Sequence, residues 1–131
     1  MFNVWDRIEE NEFAHTVETA LETIFPENPP RFMSRTPHGY HDVATIERDV
    51  KHAGFEAPPQ INTLAARSCA DSAQIAAMAY CQGTPLRNEI EARGGSRLGE
   101  ATDFVVQAIA RRFGQGSVDG KIQAHIVAVE C

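Results

Sequence analysis

Three β-prone stretches, separated by helix-periodic segments, predict an α/β protein built on a small mixed sheet of about three strands with helices packed against it. The stretches are Phe2-Asn3-Val4-Trp5, residues 60–66, and the run that ends Ile126-Val127-Ala128-Val129. Between them, apolar residues recur every three or four positions, the spacing of a helix face. The order is strand, helix, helix, strand, three helices, strand, a layered α/β or α+β arrangement with few strands.

The first strand is followed by a helix predicted over residues 9–25. Phe13, Val17, Ala20, Leu21 and Ile24 share one face, and Glu9, Glu10 and Glu12 favour the positive end of its dipole. Pro26 stops it, and Pro29-Pro30 predicts an extended connection. Residues 36–41 form a loop by their Pro and Gly. Asp42 is the expected N-cap of the next helix, whose stripe is Val43, Ile46, Val50 and Ala53, with Gly54 as its C-terminal cap.

Pro58-Pro59 delays the second strand to Gln60–Ala66. Residues 71–80 are helical, and Gly83 breaks them. Thr84-Pro85 starts a short helix that runs to about Arg93. The clearest late helix is residues 98–113, with Leu98, Ala101, Val105, Ile109 and Phe113 on one side and Gly114 just past its end. The last strand, residues 121–129, is apolar on both faces in its later half, as a central strand buried on both sides would be.

A chain of 131 residues is one domain's worth, here read as a single domain over 1–131. It is 43% hydrophobic and 23% charged, a composition that supports a core and excludes general disorder. The net charge of −6 argues against a nucleic-acid binder. Arg111-Arg112 falls in the last turn of a helix, where it complements the dipole. No run of about 18 apolar residues is present, so no membrane span is expected. The start, Phe2-Asn3-Val4-Trp5-Asp6, lacks the features of a signal peptide. Cys69, Cys81 and Cys131 are odd in number without C-x-x-C spacing, so free thiols and a cytoplasmic location are expected.

Trp5 and Asp6 sit where the chain leaves the first strand. They are read either as a pocket rim or as a packing Trp and a capping Asp. His38, Tyr40 and His41 form a polar aromatic cluster on a loop, read either as a recognition surface or lid or as a solvated loop. His38 and His41 supply two ligands where a metal needs three or four, so no metal is expected. Cys81 has no base beside it and reads as a small buried thiol. No catalytic residue is assigned.

Phe2-Asn3-Val4-Trp5-Asp6 followed by a Glu-rich helix start resembles the fifth strand and following helix of class I S-adenosylmethionine-dependent methyltransferases of the ubiquinone/menaquinone-biosynthesis-like type. His38-Gly39-Tyr40-His41-Asp42 and the helix ending Ala53-Gly54-Phe55 resemble the segment before the sixth strand. Cys81-Gln82-Gly83-Thr84-Pro85-Leu86-Arg87 resembles part of an insertion before the last strand, here residues 68–113. Gly120-Lys121-Ile122-Gln123-Ala124-His125 resembles the start of that strand. The matches follow the family's order over nearly the whole chain.

The resemblance implies the C-terminal part of a Rossmann-like fold, with the last strand antiparallel between the other two. It implies the acceptor-side portion of a methyltransferase, with Trp5, His38, Tyr40 and His41 as candidate substrate-binding residues. It also implies S-adenosylmethionine as the family's cofactor. The family binds that donor through a Gly-rich turn after its first strand and a carboxylate after its second. Every match here falls on later parts of the family, so the donor is not expected to bind this chain alone, and the chain without a partner is expected to be inactive. The partners expected are a complementing N-terminal methyltransferase half or a second copy in a homodimer, and a small-molecule acceptor. The alternative is a non-catalytic self-associating or small-ligand-binding module of the same descent.

Overall fold

The computed structural model describes residues 1–130; Cys131 lies outside the described residues. Strand β1 (Phe2–Trp5) leads through a single 3-10 turn at Ile8–Glu10 into α1 (Glu12–Ile24). Then come α2 (Phe32–Arg35), α3 (Val43–His52), β2 (Gln60–Ala70), α4 (Ala73–Gly83), α5 (Leu86–Ala92), α6 (Leu98–Phe113) and β3 (Val118–Ala128). The α/β class and the three strands are as predicted.

Local chemistry sets most of the boundaries. Asp42 Oδ2 accepts the Thr45 N–H at 2.9 Å and so caps α3, as expected. Ser72 Oγ caps α4 by accepting the Ile75 N–H at 3.2 Å. Past the end of α6, Gly114 takes φ +109°, a conformation open to glycine. α1 begins three residues later than the Glu-rich stretch predicts, because Asn11 breaks the helical path and commits its side chain to the sheet.

The connection after Pro29-Pro30 is not simply extended. It folds into α2, a single turn held from outside. Glu18 is buried on α1 and accepts the Ser34 N–H at 3.0 Å, with Arg31 3.5 Å away. Arg35 pairs with Glu89 at 2.8 Å. Four residues carry no periodicity, so their tertiary partners decide their conformation.

The sheet order is β1-β3-β2, and both ladders are antiparallel. Phe2 faces Val127, Val4 faces His125, and Thr63 faces His125 from the other side. β3 therefore lies between the other two, as the resemblance implied. The main core gathers Phe13, Val17 and Leu21 of α1 with Ala77 and Cys81 of α4, Ile90 of α5, Val105 and Ile109 of α6, and Val118 of β3. A smaller cluster of Ile46, Val50 and Val127 seats α3 on the other end of the sheet.

β3 is not buried on both faces along its later half. His125 and Val127 are buried, but Ala124 and Ile126 are only half-buried. They share a face with Trp5, 41% exposed, and Leu64, 58% exposed. The helices cover the Val118–Gly120 end, and α3 covers the His125–Val127 face. The Trp5–Leu64 face has no helix over it. β2 forms the other edge of the sheet, 11 residues long with Arg67 as its single charge.

Candidate functional site

Asp6 directly follows β1 and is the hub of a polar cluster over the middle of β3. Its N–H still pairs with the Gln123 carbonyl at 3.0 Å. Its carboxylate accepts from the Arg7 N–H at 2.7 Å through Oδ1 and from the Gln123 amide at 2.7 Å through Oδ2. Oδ1 also lies 3.2 Å from His125 Nε2. His125 Nδ1 is 2.9 Å from Thr63 Oγ1. Thr63, His125 and Asp6 thus form one chain of hydroxyl, imidazole and carboxylate across all three strands. His125 is buried, and Thr63 is exposed.

Two buried side chains fix this hub. Asn11 Nδ2 lies within 3.1–3.3 Å of the Asp6, Arg7 and Gln123 carbonyls, and its Oδ1 accepts the Gln123 N–H at 3.1 Å. His38 reaches the Asp6 carbonyl through Nδ1 at 2.9 Å. Among the described residues, no buried side-chain polar atom lacks a partner.

Burial raises the Asp6 carboxyl, but the hydrogen bonds from Gln123 and Arg7 and the nearby His125 outweigh it and leave the group below the usual carboxylate range. Burial also lowers His38, more than the Asp6 carbonyl lifts it. A neutral ring that donates from Nδ1 is the state that fits this contact.

Of the residues singled out from sequence, Trp5 and His38 come together, with ring centroids 5.9 Å apart. Asp6 does not cap the helix; it turns to β3. Tyr40 lies elsewhere and donates to Asp49 of α3 at 2.9 Å. His41 shares no hydrogen bond with the cluster. Thr63, Gln123, His125 and Asn11 are the residues that sequence reasoning missed. The one available signal was a polar residue at every second position of β3, Asp119, Lys121, Gln123 and His125. Cys81 is buried, and burial pushes its thiol up to about 12, in keeping with an inert residue. No group of three or more metal-ligating side chains converges among the described residues.

No glycine lies in a strand-to-helix turn among the described residues. β1 is followed by Asp6-Arg7 and β2 by Asp71-Ser72, so neither strand runs through a Gly-rich turn into a helix. Gly94-Gly95 joins α5 to α6, and Gly114–Gly116 follows a helix. No helix is long and apolar enough to cross a membrane among the described residues. Compared with known proteins, the chain matches no family model and no curated protein.

Proposed function

We propose that the chain is the acceptor-side portion of an S-adenosylmethionine-dependent methyltransferase, inactive alone and completed by a chain that binds the donor. The observation that carries this reading is the strand order, with the last strand antiparallel between the first and the second. The carboxyl end of β1 supports it further. Ligands of open α/β sheets often lie beyond the carboxyl ends of strands, and here the Trp5 and His38 rings stand 5.9 Å apart at the end of β1, with His38 bonded to the Asp6 carbonyl. The chain's own contribution is to position a small planar acceptor, which is most of what methyl transfer to a nucleophilic atom requires.

The test is transfer of labelled methyl groups to small hydroxylated aromatics. It is run with the chain alone and with a separately produced donor-binding half of a menaquinone-type methyltransferase. Transfer is expected only in the mixture, and Trp5→Ala is expected to reduce it. Absence of transfer in every mixture overturns the reading. So does saturable micromolar binding of S-adenosylmethionine to the chain alone in a calorimeter.

A second reading, a self-associating module without turnover, is favoured by the uncovered sheet face around Trp5 and Leu64 and by the open edges of β1 and β2. In that reading a homodimer closes the sheet across a two-fold axis. Sedimentation at tens of micromolar tests it: a dimer supports it, and a clean monomer removes it.

A further inference from the structure

We infer that the groove between α1 and α6 is a binding site for a small amphipathic anion, a carboxylate or phosphate head on a short apolar body. The inference does not depend on the methyltransferase reading, because the groove lies on the helical layer and shares no residue with the Asp6 cluster.

The groove has a volume of about 460 Å³, within the roughly 300–1,000 Å³ range of small-molecule pockets. Its floor is apolar, with Ala20 from α1 and Phe104 and Ala108 from α6. Its polar end is cationic: Arg111 and Arg112 of α6 flank it, with His15 and Thr16 of α1 opposite. No acidic residue lines it.

The arginines are what distinguish this groove from an ordinary cleft between helices. The chain carries net charge −6 and 18 acidic residues. Arg7, Arg31, Arg35, Arg48, Arg67, Arg87 and Arg97 each pair with one of those carboxylates. Arg93 is spent on the carbonyls of Asn28, Pro29 and Glu89. Arg111 and Arg112 have no carboxylate partner among the described residues, and they are the two that face the groove.

Arg112 Nη1 donates to Thr16 Oγ1 at 2.9 Å, and its guanidinium lies 5.1 Å from the Phe113 ring centre. These contacts hold the fork at the groove without neutralising it. A guanidinium fork matches carboxylate and phosphate oxygens in geometry as well as charge. Helix-dipole complementation explains a basic residue in the last turn of α6, but not two unpaired ones gathered over a groove free of acids.

The experiment is calorimetric titration of the intact chain with octanoate, octyl phosphate, octyl glucoside, acetate and inorganic phosphate, below micelle-forming concentrations. Both octyl anions are expected to bind saturably and to weaken with added salt, since exposed charge pairs are screened. The ratio of their affinities identifies the preferred head. Acetate and phosphate, lacking the body, are expected to bind more weakly than their octyl counterparts. The double variant Arg111→Gln/Arg112→Gln is expected to weaken binding about tenfold, as loss of charge-assisted hydrogen bonds does. Thr19→Trp, at an exposed position on the groove wall, is expected to block it while leaving the urea midpoint unchanged. Equal binding of octyl glucoside overturns the inference. So does unchanged affinity in the double variant, or no binding of either octyl anion at millimolar concentration.

Discussion

Asp6 and His125 are bound across the β1–β3 ladder, with Oδ1 3.2 Å from Nε2 and the two side chains 13% and 6% exposed. Removing the charge from one leaves the other buried beside a poorer acceptor. Asp6→Asn is therefore expected to cost about 1–3 kcal/mol at pH 7, the range for losing a partner of a buried polar group. Urea unfolding measures it, and a cost near zero would mean that Gln123 and Arg7 hold the loop without the charge.

The same cluster predicts acid sensitivity in two stages. His38 titrates below its ordinary 6.5 in the folded chain, so its share of stability is full above pH 6.5 and is lost as pH falls through the folded value. Asp6 titrates below its ordinary 3.8, so its share is full above that and is lost at still lower pH. Stability measured from pH 8 to pH 3 is expected to fall first below about pH 6.5, and His38→Gln is expected to flatten that first stage. Asp6→Asn is expected to leave the first stage in place and to narrow its gap to the wild type only below pH 3.8. A flat profile from pH 8 to 4.5 would contradict the burial of a neutral His38.

Ile109 is fully buried in the main core. Ile109→Ala is expected to destabilise by about 2–4 kcal/mol, as truncation of a buried aliphatic does. A loss below about 0.5 kcal/mol by urea unfolding would mean the site collapses freely.

The two thiols of the described chain differ in access: Cys69 is exposed and Cys81 is buried with its thiol pushed up to about 12. In a Cys131→Ser variant, an aromatic disulfide reagent at pH 8 is expected to titrate one thiol quickly and the second only in urea. Two fast thiols would show that α4 opens readily.

How far the sequence could be read varies along the chain, for physical reasons. α6 and the caps of α3 are legible because their signals are local: a 16-residue apolar stripe, an Asp three residues before an N–H, a Gly past the end. α2 is not, since Glu18 and Glu89 hold it from distant helices. Trp5 and His38 are each legible as an aromatic residue at a strand end or on a loop, but their pairing is not. The Thr63–His125–Asp6 chain is not, because it depends on strand register: Thr63 and His125 are 62 positions apart, and Asp6 and Gln123 are 117 apart. The uncovered face of β3 is not legible, because an apolar run shows which residues avoid water but not whether anything arrives to cover them.

Gly120 sits under the Phe13 ring, where an added Cβ would lie 3.2 Å from ring carbons. Phe13 is buried edge-on against Phe113, at 4.8 Å, and has little room to move. Gly120→Ala is expected to destabilise by about 1–3 kcal/mol, the range for overpacking, and Phe13→Leu is expected to recover part of that loss. The missing side chain also acts as a ratchet stop for the whole sheet. A slip of one residue would bring Asp119 or Lys121 beneath the ring and turn every inward side chain outward. The gap at Gly120 thus favours the register in which His125, five residues on, lies between Asp6 and Thr63.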